Sequence, residues 1–272
     1  MIEVWRDEVR YEERQSSKGN QMKWFRNGMW YKADYTGYEG LVEYVVSTLL
    51  GQSTLPASSY QSYMTEQIQY GVNQFLGCKS AHFLPEGCQL ITLERLFQNA
   101  FGQSLNQSIY RISHLEERMR FLVTQTERLT GLKEYGKHLS MLMTIDAFFM
   151  NEDRHTHNMA VILDHSGKYQ YCPIFDNGGC LLSDTTLDYP INVPVEQLMP
   201  QVRPKTFCQN FDEQLDTAEK LYGQQLRFQF TLKDIEKLLQ EEPYYNQPTK
   251  DRVLEILRYQ SKKYAYLFNH SF

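Results

Sequence analysis

Asn151-Glu152-Asp153-Arg154-His155-Thr156-His157-Asn158 presents an acid and, five residues later, an amide; beyond a strand-turn-strand pattern, a second acid follows in Ile174-Phe175-Asp176-Asn177-Gly178. This order constrains the chain more than any other feature, because it demands a polar loop, a β-hairpin and a second polar loop in succession. Met159 to Leu163 and Lys168 to Phe175 read as strands, and Asp164-His165-Ser166-Gly167 reads as a four-residue turn with glycine last. With Leu163 opposite Lys168, Asn158 pairs near Pro173 and Asp176 overshoots it by roughly 10 Å of extended chain. A turn at Asn177-Gly178-Gly179 folds the overshoot back and lets Asn158 and Asp176 share an ion. Their ligand atoms are hard oxygens, which suit Mg2+ or Mn2+ rather than zinc.

These are the residue types that phosphoryl transfer requires. An acid accepts or orients the attacking hydroxyl, an amide holds one magnesium, and a later acid bridges metal and nucleotide phosphates. A Glu-Asp-Arg-His run standing alone would be a polar surface loop. Two His two apart, with no nearby Cys cluster, make a poor zinc site, so His155 is read as a structural prop. The remaining parts of a nucleotide site occur upstream in order. Gly28 to Ala33 reads as a strand carrying Lys32 near its end, and Tyr38 to Leu50 reads as a helix with Leu41, Val45, Thr48 and Leu49 on one face. Glu39 and Glu43 lie four apart on that helix; a strand lysine held by a helix glutamate is the phosphate clamp of kinases, and Glu43 is the expected partner, with Glu39 second. Between the strand-like runs Glu3 to Tyr11 and Gln21 to Phe25, the loop Ser16-Ser17-Lys18-Gly19 offers backbone N–H groups to phosphates. Neither G-x-G-x-x-G nor G-x-x-x-x-G-K-[ST] occurs in the chain.

Ser16-Ser17-Lys18-Gly19, Tyr31-Lys32, Glu43-Tyr-Val-Val-Ser47, Asn151 to Asn158 and Phe175-Asp176-Asn-Gly178 together resemble the HipA-like serine/threonine kinases, a bacterial branch related in its catalytic loop to phosphatidylinositol kinases. The resemblance implies Asp153 as catalytic base, Asn158 and Asp176 as metal ligands, and Lys32 as the phosphate-binding lysine. It also implies ATP and magnesium as cofactors and Ser or Thr hydroxyls, on the chain itself and on a protein substrate, as acceptors. Ser16 and Ser17 lie where members of the family autophosphorylate and so displace their own nucleotide loop. An antitoxin-like protein is a partner of the kind the family uses. Full-length HipA toxins, however, carry an extra amino-terminal subdomain for which this chain has no room before its phosphate loop, so a compact kinase core is expected.

A chain of 272 residues fits one two-lobed catalytic unit, and 42% hydrophobic residues without low-complexity runs indicate a packed globular protein. Short strand-like stretches, including Tyr70 to Gly77 and Cys88 to Thr92, dominate residues 1–92, expected to form the nucleotide-clamping lobe. Residues 93–272 are expected to form a larger helical lobe, with helices over Glu94 to Phe101, His114 to Leu129, Leu132 to Met150, Val195 to Leu198, Asp212 to Tyr222, Leu232 to Gln240 and Thr249 to Phe268. The fold class is therefore α+β, a two-lobed protein-kinase-like fold with Leu90 to Leu93 as the hinge. Net charge is -5, which argues against direct nucleic-acid binding by the chain as a whole. Five cysteines without C-x-x-C, no signal-like start and no long apolar run point to a cytoplasmic protein away from membranes.

In the helix before the catalytic loop, Asp146 falls on the face defined by Leu139, Leu142 and Met143. A buried carboxylate needs a partner, and Arg154, His155 or loop N–H groups are the expected ones. Two other activities fit the same motifs: a noncatalytic nucleotide-binding pseudokinase acting as a regulatory partner, and a small-molecule kinase. The full set of acidic and basic residues counts against the pseudokinase and a missing basic membrane-facing run against a lipid substrate, while a sugar or antibiotic substrate stays open.

Overall fold

The computed structural model describes residues 1–5, 8–10 and 21–269. The loop Ser16, Ser17, Lys18 and Gly19 and the expected strand end at Tyr11 lie outside the described residues. In chain order the elements are β1 (Ile2–Val4), β2 (Val9–Arg10), β3 (Lys23–Arg26), β4 (Met29–Ala33), α1 (Glu39–Leu50), β5 (Met64–Tyr70), β6 (Asn73–Ala81), β7 (Gln89–Thr92), α2 (Leu93–Phe101), α3 (Leu105–Tyr110), α4 (Leu115–Thr130), α5 (Tyr135–Phe149), β8 (Ala160–Leu163), β9 (Tyr169–Tyr171), α6 (Val195–Leu198), α7 (Phe211–Tyr222), α8 (Leu232–Glu241) and α9 (Gln247–Lys263). They form two compact units, each assembled from separated stretches of chain: Met1–Phe83 with Asp176–Val202 and Arg227–Phe272, and Leu84–Phe175 with Arg203–Leu226.

The first unit contains a six-stranded sheet in the order β1-β5-β6-β4-β3-β2, antiparallel except where β1 runs parallel to β5. Consecutive strands β1 and β2 occupy its opposite edges. In a flat sheet those edges would stand about 24 Å apart, yet the five-residue step from Val4 to Val9 reaches at most about 18 Å. The sheet must therefore curl. Its concave side is filled by Val4, Trp24, Tyr31, Ala33 and Ile68, all nearly inaccessible, and Arg26 on β3 reaches across to Glu8 and to the backbone carbonyl of Glu3. Side chains alternate along a strand, so Lys32, between Tyr31 and Ala33, points away from this core.

Helix α1 lies against β5 and β6, and Gly40 sets how closely. A Cβ on Gly40 would stand 2.4 Å from the backbone carbon of Gly77, and a Cβ on Gly77 would stand 2.0 Å from the Lys32 carbonyl oxygen. Hydrogen at Gly77 lets β6 lie close to β4, and hydrogen at Gly40 lets the first turn of the helix touch the sheet. Leu41, Val42, Val45, Val46, Leu49 and Leu50 are buried beneath it.

The second unit packs α5 against α4 and α7. From Leu139 to Phe149 every residue of α5 is buried, which marks it as a core helix. A three-stranded antiparallel sheet, β7-β8-β9, completes the unit, with Leu90 to Thr92 of the expected hinge forming its edge strand β7. Thr92 caps α2 by accepting the Arg95 N–H, and Gly102 ends that helix in the left-handed region.

Several local expectations are corrected. The hairpin register is shifted by one residue: Leu163 pairs with Tyr169, because Asp164 Oδ1 accepts the N–H groups of Ser166 and Lys168 and enlarges the turn to include Lys168. The stretch Tyr70 to Gly77 is two strands, since Gly71 with positive φ makes a two-residue turn between β5 and β6. Helix α3 was not anticipated, and the final helix stops at Lys263, followed by a 3-10 turn over Ala265–Leu267.

Candidate active site

In the first unit, Lys32 is held between two carboxylates. Its Nζ lies 2.9 Å from Glu43 Oε1 and 2.9 Å from Asp176 Oδ1, while the Tyr63 ring stacks on the ammonium at 5.2 Å. Burial works against a charged lysine, but Asp176 and then Glu43 outweigh it and hold its pKa well above the ordinary value. Glu43 itself is 2% exposed. Burial raises the Glu43 pKa against the pull of Lys32, and Asp176 adds to the rise.

Glu39, one helical turn before Glu43, does not reach the lysine. Its carboxylate accepts the backbone N–H groups of Tyr35, Thr36 and Gly37 and the Thr36 hydroxyl, closing the loop that leads into α1. Asp34, at the start of that loop, accepts the Gly40 N–H at 2.6 Å and the Tyr245 hydroxyl at 2.7 Å. Burial and then the neighbouring Glu39 push its pKa up to about 7.

Asp176 has φ +60°, a left-handed conformation that is uncommon for a residue with a side chain. Such backbone is retained where surrounding contacts over-determine it. Glu43 Oε2 accepts the Asn177 N–H, and Gly178 sits so near α1 that a Cβ there would be 3.3 Å from the Glu39 Cβ.

In the second unit, α5 ends on Met150, also left-handed at φ +55°, and releases the chain into the loop Asn151 to Asn158. The loop is organised by Arg154, only 1% exposed. Its Nε donates to both Asp146 carboxylate oxygens at 3.1 and 3.2 Å, and its Nη1 donates to the carbonyls of Asn158 and Phe175. Asn151 Nδ2 donates to Asp146 as well, and its Oδ1 accepts the Asp153 N–H. Burial lifts the Asp146 carboxyl to about 6 against the opposing pull of Arg154. His155 accepts the Asn158 N–H through its carbonyl, and its ring meets His157 edge-on at 5.5 Å.

Asn158 Nδ2 donates to the Asp153 carbonyl at 3.0 Å. That bond commits the amide nitrogen to the loop and turns Oδ1 the other way. An amide oxygen and the Asp176 carboxylate are both hard donors of the kind Mg2+ accepts, and Mg2+ takes one or two carboxylates together with phosphate oxygens. Taken singly, each oxygen is a donor that suits the ion.

Sequence reading missed several supporting residues. Glu94 accepts the N–H groups of Leu105 and Asn106 and the Thr156 hydroxyl, tying α2 and α3 to the loop. Burial disfavours its charge, but hydrogen bonds from Ser104, Asn106 and Thr156 prevail and lower its pKa. Thr206 donates its hydroxyl to the Arg154 carbonyl, and next to it Lys205 brings Nζ to 3.8 Å from Asp153 Oδ1. Glu94 was legible as an acid in a first helical turn, whereas nothing local distinguishes Lys205, Thr206 or Tyr63.

A curled sheet bearing a lysine, a helix glutamate clasping it and a helical region bearing an Asp-Arg-His loop make this a kinase-like α+β fold. Among solved structures, the chain is similar to the Helicobacter pylori proinflammatory kinase CtkA, with a TM-score of 0.58 and 17% identity over 94% of this chain and 92% of that one. No protein-family profile and no curated protein sequence matches the chain. Among the described residues, no helix is long and apolar enough to cross a membrane.

Proposed function

We propose that the chain is an ATP-dependent, Mg2+-requiring phosphotransferase of the HipA-like kind, acting on Ser or Thr hydroxyls of itself and of a protein substrate. The observation that carries this reading is Lys32 clasped by Glu43 and Asp176. A lysine held straight by a buried acid is the element that orients nucleotide phosphates in kinases. The kinase named among similar structures supports the reading at the level of fold.

In this reading Lys32 orients the phosphates, Glu43 keeps it extended, and Asp176 and Asn158 supply oxygens to magnesium. The ion, when bound, neutralises charge on the transferring phosphoryl group. Asp153 accepts or positions the hydroxyl proton. Arg154, pinned by Asp146, keeps the loop bearing Asp153 and Asn158 in one conformation, and His155 props it from the side. Ser16, Ser17, Lys18 and Gly19 are assigned to nucleotide binding, and Ser16 and Ser17 to self-modification. Positioning and charge stabilisation then supply most of the rate enhancement.

Labelled ATP with wild type and Asp153→Ala, first alone and then with cell lysate, tests the proposal. Label on the protein or on lysate proteins, lost in the variant, is the expected result. No transfer at all would leave a nucleotide-binding pseudokinase, and label confined to metabolites would indicate a small-molecule kinase.

A further inference from the structure

Away from the residues discussed above, helices α2, α3 and α4 of the second unit surround a groove of about 490 Å³. That volume lies within the range of ligand-binding pockets. Phe97, Phe101, Phe121 and Ile112 form its apolar part, with ring centroids 4.5 Å apart for Phe97 and Phe101 and 5.9 Å for Phe97 and Phe121. Phe97 is buried, but Phe101, Ile112 and Phe121 remain partly open to solvent. Arg111 and Arg128 also line the groove, and both are exposed.

The charges are one-sided. No lining residue is acidic. Arg128 lies over the Phe101 ring at 5.1 Å, and among the described residues neither arginine forms a salt bridge. An acid three or four residues before a helical arginine can pair with it; here Arg111 has Gln107 and Ser108 before it, and Arg128 has Thr124 and Gln125. Two unneutralised guanidinium groups beside partly open aromatic rings complement a ligand that is apolar at its centre and anionic at its edge. The space exceeds that of one side chain, which suits a short stretch of polypeptide.

We propose that this groove docks an acidic segment of a partner protein, an apolar side chain entering among Phe97, Phe101 and Phe121 while flanking carboxylates pair with Arg111 and Arg128. This goes beyond phosphoryl transfer and does not depend on it.

Fluorescence anisotropy on the full chain without ATP is the test, using labelled short peptides with leucine or phenylalanine set among glutamates. Matched peptides carry lysine for glutamate or alanine for the apolar residue. Wild type is expected to bind the acidic apolar peptides alone, more weakly as salt rises, and Arg111→Glu with Arg128→Glu is expected to weaken binding by at least about tenfold. Both arginines are exposed, so the doubly reversed protein should still fold, its melting temperature lowered only slightly by loss of the Arg128–Phe101 contact and of a cation at the end of α4. Absence of binding to wild type, equal binding to the reversed protein, or saturation by phenylacetate without peptide binding would each overturn the proposal.

Discussion

Glu43 accepts the backbone N–H of Asn177 at 2.9 Å through the carboxylate oxygen that does not hold Lys32. One buried acid thus fixes both the lysine and the segment following Asp176. Replacing Glu43 with Gln preserves shape and can retain one of the two contacts, but removes the charge that keeps Lys32 extended. Turnover with labelled ATP is expected to fall on the order of a hundredfold with a small change in melting temperature.

Asp176 combines a charge with left-handed backbone, and the two can be separated. Asn tolerates that backbone, whereas a β-branched residue does not. Asp176→Asn is expected to fold normally and lose transfer and magnesium dependence together. Asp176→Val should in addition lower thermal stability, by about 1–3 kcal/mol from the strained backbone. Equal melting curves for the two variants would contradict the account of Asp176.

Asp34 predicts how stability responds to pH. Its folded pKa of about 7 stands above the ordinary 3.8, so the folded protein holds this proton more tightly than the unfolded chain. The stabilisation is complete below pH 3.8 and disappears as pH rises through about 7. Asn at position 34 keeps an acceptor for Gly40, and its amide can donate to the Tyr245 hydroxyl. Chemical denaturation from pH 4 to pH 8 should therefore show Asp34→Asn gaining on wild type as pH rises, by up to about 4 kcal/mol.

Gly40 sets the separation of α1 from the sheet, and Gly77 the approach of β6 to β4. Gly77→Ala would drive a methyl group into the Lys32 carbonyl, and backbone must move to relieve it. The expected cost is about 1–3 kcal/mol, with nucleotide affinity falling further than stability explains because Lys32 moves with β4. Isothermal titration with ATP, beside a melting curve, checks both.

Self-modification at Ser16 or Ser17 is expected after long incubation with ATP and magnesium. Mass spectrometry showing phosphate on either serine in wild type, and on neither in Asp153→Ala, is the outcome sought.

Much of this arrangement was readable from local spacing. A strand ending in Lys32, a helix with two acids one turn apart, and a polar loop followed by a hairpin and Asp176 are all short-range patterns, set by residues within a few positions of one another. Asp146 was readable for a similar reason, because helical periodicity put a carboxylate on a buried face. The exact hairpin pairing was not, since one Asp164 side chain capturing two N–H groups moved the register by a residue. The strand β5 was hidden because Thr65, Glu66 and Gln67 interrupt its apolar pattern.

The sequence by itself determined which chemical groups are available and the local elements that carry them, since spacing along a helix or strand is a property of the backbone. Tertiary structure alone decided which glutamate meets Lys32. Glu39 and Glu43 share a helix face, and the choice followed from the close Gly40–Gly77 contact and from the Tyr35 to Gly37 N–H groups occupying Glu39. It likewise brought Lys205 to Asp153 and Thr156 to Glu94 across gaps of 52 and 62 residues. Contacts of that range depend on how closely whole elements pack, which no local pattern records.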